Sequence, residues 1–124
     1  MIQTLKIPIT TTANQTYIKE GDTIPKITFT FGASDVIDLT TSTIKMQVYN
    51  GSTRLIDVSS GSGITILSEK VFKIDEISAT NNNMPSGKFL GDLEIQDSNG
   101  KRFTYFNIEY TIIKQYTNLF NVLQ

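Results

Sequence analysis

Between Pro85 and Ile112 the chain reads PSGKFLGDLEIQDSNGKRFTYFNIEYTI, a stretch whose letters specify both a β-hairpin and its register. Asn99-Gly100 is the strongest short-range hairpin signal, because both central residues of a type I′ turn need positive φ. A two-residue loop there sets Asp97 opposite Arg102, Leu93 opposite Phe106, Gly91 opposite Ile108 and Phe89 opposite Tyr110. Phe89, Leu93, Ile95, Phe106, Ile108, Tyr110 and Ile112 then share one face. The other face carries Lys88, Leu90, Asp92, Glu94, Gln96, Asn107, Glu109 and Thr111, with Phe103 and Tyr105 as aromatic exceptions. Slipping by one residue would bury Asn107 and Glu109, so the clean segregation supports this pairing. A one-sided sheet of this kind must cover its apolar face.

Alternation of period two recurs along the chain and helical periodicity is nearly absent. Leu5, Ile7 and Ile9 alternate with polar residues around Pro8, which confines that strand to an edge. Further strands are expected at Ile27 to Phe31, Ile44 to Tyr49, Arg54 to Ser59, Ile64 to Leu67 and Val71 to Asp75. Asn50-Gly51 marks a second hairpin. Asp75 is expected to cap one short helical turn near 75–80 before the Asn run stops it. About seven to nine strands at this spacing predict an all-β, immunoglobulin-like antiparallel β-sandwich, with a small barrel as the alternative. The whole sequence, residues 1–124, suits one such domain.

Composition removes much chemistry. With no Cys and no His, thiolate nucleophiles, Cys/His zinc sites, disulfides and Ser-His-Asp triads are excluded. Lys+Arg 11 against Asp+Glu 12 leaves no cationic excess for nucleic acid. The N-terminus lacks the pattern of a signal peptide, and no apolar run approaches a membrane span. The two sequons at Asn14 and Asn50 are read as chance. Asp97-Ser98-Asn99-Gly100 has the look of a calcium loop, but Phe106 stands where an EF-hand places its bidentate Glu, so a tight turn is expected. Asp92, Glu94 and Glu109 lie on the polar sheet face, where solvation is the expected role and a hydrolase pair is not. No catalytic residue, cofactor or metal is expected, and the chain is read as a non-enzyme.

Asp38-Leu39-Thr40 leading into Thr43 to Val48, then Gly63-Ile64-Thr65-Ile66, then Pro85 to Phe89, Asp92 to Ile95 and Asp97 to Lys101, resembles the immunoglobulin-like N-terminal domain of bacteriophage baseplate upper proteins. Small phage tail proteins are similar to that domain. The likeness spans Gly21 to Thr117 and lies in the order and spacing of its elements. Thr41 stands where the family usually has Gly, and the last long strand lacks a Gly near Asn107. The resemblance implies a structural or adaptor subunit of a virion, in the tail, baseplate or fibre attachment, meeting other virion proteins as a homo- or hetero-oligomer. A capsid decoration or head-fibre role is the near alternative, and a receptor- or carbohydrate-binding module that meets host glycan is the other. The implied location is the virion, after synthesis in the host bacterial cytoplasm, with no nucleic acid or membrane partner.

Candidate interface residues follow from exposed aromatics and apolar ends. Tyr49, Phe103 and Tyr105 fall on the outward parity, with ordinary cross-strand packing as the competing role. Leu5, Ile7 and Ile9 in segment 1–20, and Leu119, Phe120, Val122 and Leu123 in segment 118–124, are the expected docking residues. Asp38-Leu39-Thr40 reads as an Asx or Ser/Thr turn. Gly91, inside a strand, marks a bulge or the close approach of another backbone.

Overall fold

A computed structural model describes residues 3–8 and 17–114. Nine strands are present: β1 Gln3–Ile7, β2 Ile18–Lys19, β3 Ile27–Thr30, β4 Thr43–Asn50, β5 Thr53–Ser60, β6 Gly63–Ser68, β7 Val71–Ile74, β8 Gly87–Gln96 and β9 Arg102–Ile113. Hydrogen bonds join eight of them in the order β1-β9-β8-β4-β5-β6-β7-β3, and β2 follows β1 on the free side of β9. The path folds over at β5 and β6, which pair only through Ser59↔Gly63 and Ser60↔Ile64. Two layers result, with β1, β2, β9, β8, β4 and β5 in one and β6, β7 and β3 in the other.

Aromatic packing closes the layers without hydrogen bonds. Phe29 of β3 lies 5.5 Å from Phe106 of β9 and stacks at 4.7 Å on Phe72 of β7. Phe72, Tyr110, Ile44, Met46, Val48, Leu93 and Ile108 are fully buried between the layers. Each such side chain removed from water contributes about 1.5–3 kcal/mol. The fold is therefore the expected immunoglobulin-like β-sandwich. Alternation in β4 gives its reason locally: Ile44, Met46 and Val48 are buried while Lys45 and Tyr49 are exposed.

The long hairpin keeps its expected deep register by a different route. Asn99 does not take positive φ; Gly100 does, at +83°. Gly100 N donates to Asp97 O (3.0 Å) and Asp97 N to Lys101 O (2.9 Å), which closes a three-residue loop, Ser98 to Gly100. Asp97 Oδ1 accepts from the amides of Asn99 and Lys101, so this carboxylate serves the turn. Arg102 consequently faces Gln96, not Asp97. A bulge at Tyr105, between the pairs Glu94↔Thr104 and Leu93↔Phe106, absorbs the extra residue. Beyond it Gly91↔Ile108 and Phe89↔Tyr110 stand as the sequence predicts.

Two short 3-10 turns are the helical content of the described residues. Ser78, and not Asp75, caps the turn Ala79–Asn81 by accepting from Asn81 N. Asp75 instead accepts from Thr65 Oγ1 at 2.8 Å and lies 4.0 Å from Lys73 Nζ. Asp38 caps the other turn, Leu39–Thr41, as the expected Asx turn: its carboxylate accepts from Thr40 N (3.0 Å) and Thr40 Oγ1 (2.5 Å). Those bonds, the hydroxyl's first, hold Asp38 below the usual carboxylate range. Thr41 does not take positive φ, and its hydroxyl donates to Asp38 O.

Candidate docking surface

Several strand edges lack a strand neighbour among the described residues, the outer sides of β1 and β3 included, and β5 is another over most of its length. β5 pairs with β4 along one side, but on the other only Ser59 and Ser60 reach β6. Thr53 to Val58 therefore present an edge with no strand partner among the described residues. Beside that edge runs a groove of about 250 Å³. Its floor holds Ile24, Ile56 and Met84, all buried, with Leu55, Val58 and Ile77 half-buried around them.

The opposite wall is built by local bonds. Ile24 and Ile77 exchange both backbone hydrogen bonds, at 2.8 and 2.9 Å, and so tie the segment before β3 to the segment after β7. Asn82 is buried and satisfied: its Nδ2 donates to Asp22 O (2.7 Å) and its Oδ1 accepts from Met84 N (3.0 Å). These bonds fix the wall in place with Ile24 and Met84 buried and Ile77 half-buried beside the groove. Asp57, Glu76, Asn81 and Asn83 form the rim. Asp57 is engaged there by Arg54 (3.3 Å) and by Gln47 Nε2 (3.2 Å).

The expected interface residues do not converge on one patch. Ile7 is 3% exposed and Leu5 packs against the core, so both serve this chain's own sandwich through β1, which lies parallel to β9. Tyr49 does face outward, beside Leu90, over a shallow hollow with Asn50 and Lys88. Tyr105 is not outward as expected. The bulge turns it against Phe31 at 5.5 Å, edge to face, and Phe103 follows it at 6.5 Å while remaining 50% exposed. Tyr49 and Phe103 sit near opposite ends of the sheet, since their levels on β9 differ by roughly 20 Å at the ordinary rise per residue. Ile9, Leu119, Phe120, Val122 and Leu123 lie outside the described residues.

The groove itself was not foreseen in the sequence. Ile24 and Met84 stand in segments with no strand periodicity, and only the bridge to Ile77 gives them a place. Among the described residues no group of acidic side chains could hold a metal ion, and no helix is long and apolar enough to cross a membrane.

No family model matches the chain, and no curated relative matches it. Among solved structures, it is similar to CopC from Methylosinus trichosporium OB3b, with 13% identity, 83% of this chain and 88% of that chain covered, and a TM-score of 0.45. The V domain of amphioxus IgVJ-C2 is similar at 11% identity, 79% and 99% coverage, and a TM-score of 0.32. Likeness at this level carries no functional argument. The sandwich assignment rests on the strand pairing and the layer contacts described above.

Proposed function

We propose that this protein is a non-enzymatic structural subunit of a bacteriophage virion, in the tail, baseplate or fibre attachment, acting through protein-protein contacts. One observation carries the reading: the ordered motifs from Asp38 to Lys101 resemble the baseplate upper-protein domain, and each is a turn or strand of a single sandwich. The geometry supports it further, because a braced sandwich with unpaired strand edges suits a spacer that joins neighbours. A glycan-binding role is less well supported, since Tyr105 turns inward and Tyr49 and Phe103 lie far apart.

Detection of the chain in purified, fractionated particles of the phage that encodes it tests this. Recovery with tails is the expected result. Recovery with heads favours the capsid-decoration alternative, and absence from particles overturns the virion reading.

A further inference from the structure

We infer that Asn50 is a self-modifying site: in the folded protein its side chain cyclises onto the amide of Gly51 and opens to isoaspartate, while Asn99-Gly100 is held unreactive. The inference stands apart from the structural-subunit reading. Both Asn-Gly pairs carry the same local chemistry, because a following Gly has no side chain to obstruct the approach of its amide to the Asn side chain. Both are also exposed at hairpin turns, Asn50-Gly51 between β4 and β5 and Asn99-Gly100 between β8 and β9. Sequence and exposure therefore do not separate them. The bonding of each turn does.

The step needs only water as co-reactant. Gly51 N gives its proton to solvent and bonds to Asn50 Cγ. The Cγ–Nδ2 bond then breaks, and ammonia leaves with a proton taken from solvent. A five-membered succinimide remains, and water adds to one of its two carbonyls. Breaking the bond from the α-carbonyl carbon to nitrogen gives isoaspartate, and breaking the bond from Cγ to nitrogen gives aspartate. Nothing is oxidised or reduced.

At the long hairpin this path is blocked twice. Gly100 N donates to Asp97 O at 3.0 Å, a bond that must open before the nitrogen can lose its proton. Asp97 Oδ1 also accepts from the amides on both sides, Asn99 N at 2.9 Å and Lys101 N at 3.0 Å, so a carboxylate stands beside the nitrogen that would become an anion. Gly51 meets neither obstacle. Asn50 pairs with Thr53 across a two-residue loop in which Gly51 takes φ +62°, and Gly51 N makes no hydrogen bond among the described residues. The charged side chain lining the hollow that holds Asn50 and Gly51 is Lys88, whose positive charge favours the amide anion. The product places a carboxylate beside Tyr49 and Leu90 in that hollow, and the isoaspartyl link adds one carbon to the backbone at the end of β4.

The full chain, kept for weeks at mildly alkaline pH and then mapped by mass spectrometry with isoaspartyl methyltransferase labelling, tests the proposal. Isoaspartate is expected at residue 50 about tenfold faster than at residue 99, the factor that opening one hydrogen bond contributes. In urea, where both turns are lost, the two rates should converge. Asp97→Ala is expected to speed reaction at Asn99 and leave Asn50 unchanged, whereas Lys88→Gln should slow Asn50 alone by about twofold, the small factor of a screened surface charge. Equal rates at the two sites in the folded chain, faster reaction at Asn99, or a difference that persists in urea overturns it.

Discussion

The backbone of Gln47 lies so close to Gly91 that a Cβ on Gly91 would overlap the Gln47 carbonyl oxygen and stand 2.8 Å from its carbonyl carbon. Val48 Cα, from the same strand, is also 2.8 Å from that position. Two central strands, β4 and β8, are thus pressed together where Val48 faces Gly91. The obstacle is backbone, which cannot rotate aside as a side chain can. The close approach expected from a glycine within a strand is the outcome.

Gly91→Ala is predicted to destabilise the fold by about 3 kcal/mol, because overpacking forces a central strand pair apart. Urea denaturation checks this against Leu90→Ala on the exposed face, for which about 0.5 kcal/mol or less is expected. Equal midpoints for the two variants would refute the close-packing account.

Tyr110 is fully buried, and its hydroxyl has no hydrogen-bond partner among the described residues. Tyr110→Phe is predicted to raise stability by about 1–2 kcal/mol, since an unpaired buried hydroxyl is costly. Burial also pushes the phenol's pKa above its ordinary value. The unfolded chain then releases this proton first, so the contribution is complete below about pH 10 and falls above it by up to about 1.4 kcal/mol per pH unit. In Tyr110→Phe that part of the alkaline loss should vanish, as urea midpoints from pH 9 to 11 would show.

Tyr105 and Tyr49 separate an inward aromatic from an outward one. Tyr105→Ala is predicted to cost about 2 kcal/mol through loss of its packing on Phe31. Tyr49→Ala, whose hydroxyl reaches only Gln47 at 3.4 Å, should cost about 1 kcal/mol or less. Thermal melts of the two variants decide the order, and a larger loss for Tyr49 would contradict the bulge's effect on Tyr105.

Asp38→Ala is predicted to lower the melting temperature at pH 7 by removing both bonds to Thr40. A lowered folded-state pKa contributes stability above the unfolded carboxylate value, and that contribution disappears as pH falls through the folded value. The gap between wild type and variant should therefore narrow below about pH 4. A gap that stays constant from pH 7 to pH 3 would count against the capping role.

How legible the site was depended on what positions it. The Asp38 turn was readable because an Asx cap is bonded within three residues, and the alternation of Ile44, Met46 and Val48 was readable because a pleat repeats every two. Tyr105 was misplaced because one bulge residue reverses parity, and nothing local distinguishes a three-residue loop plus bulge from a two-residue loop without one. The groove escaped notice because Ile24 and Met84 acquire their places through Ile77 and Asn82, partners far along the chain.

For the hairpin 85–112, sequence alone determined that Leu93 meets Phe106 and Phe89 meets Tyr110, because only that register keeps Asn107 and Glu109 out of the core. Tertiary structure decided how the chain reaches that register, which aromatic turns inward, and which strand edges are left unpaired among the described residues. Side-chain parity is a property of the pleat and can be read from letters. The fold of the layers at Ser59 and Ser60, which leaves the rest of β5 open, arises from long-range packing of Phe29, Phe72 and Phe106.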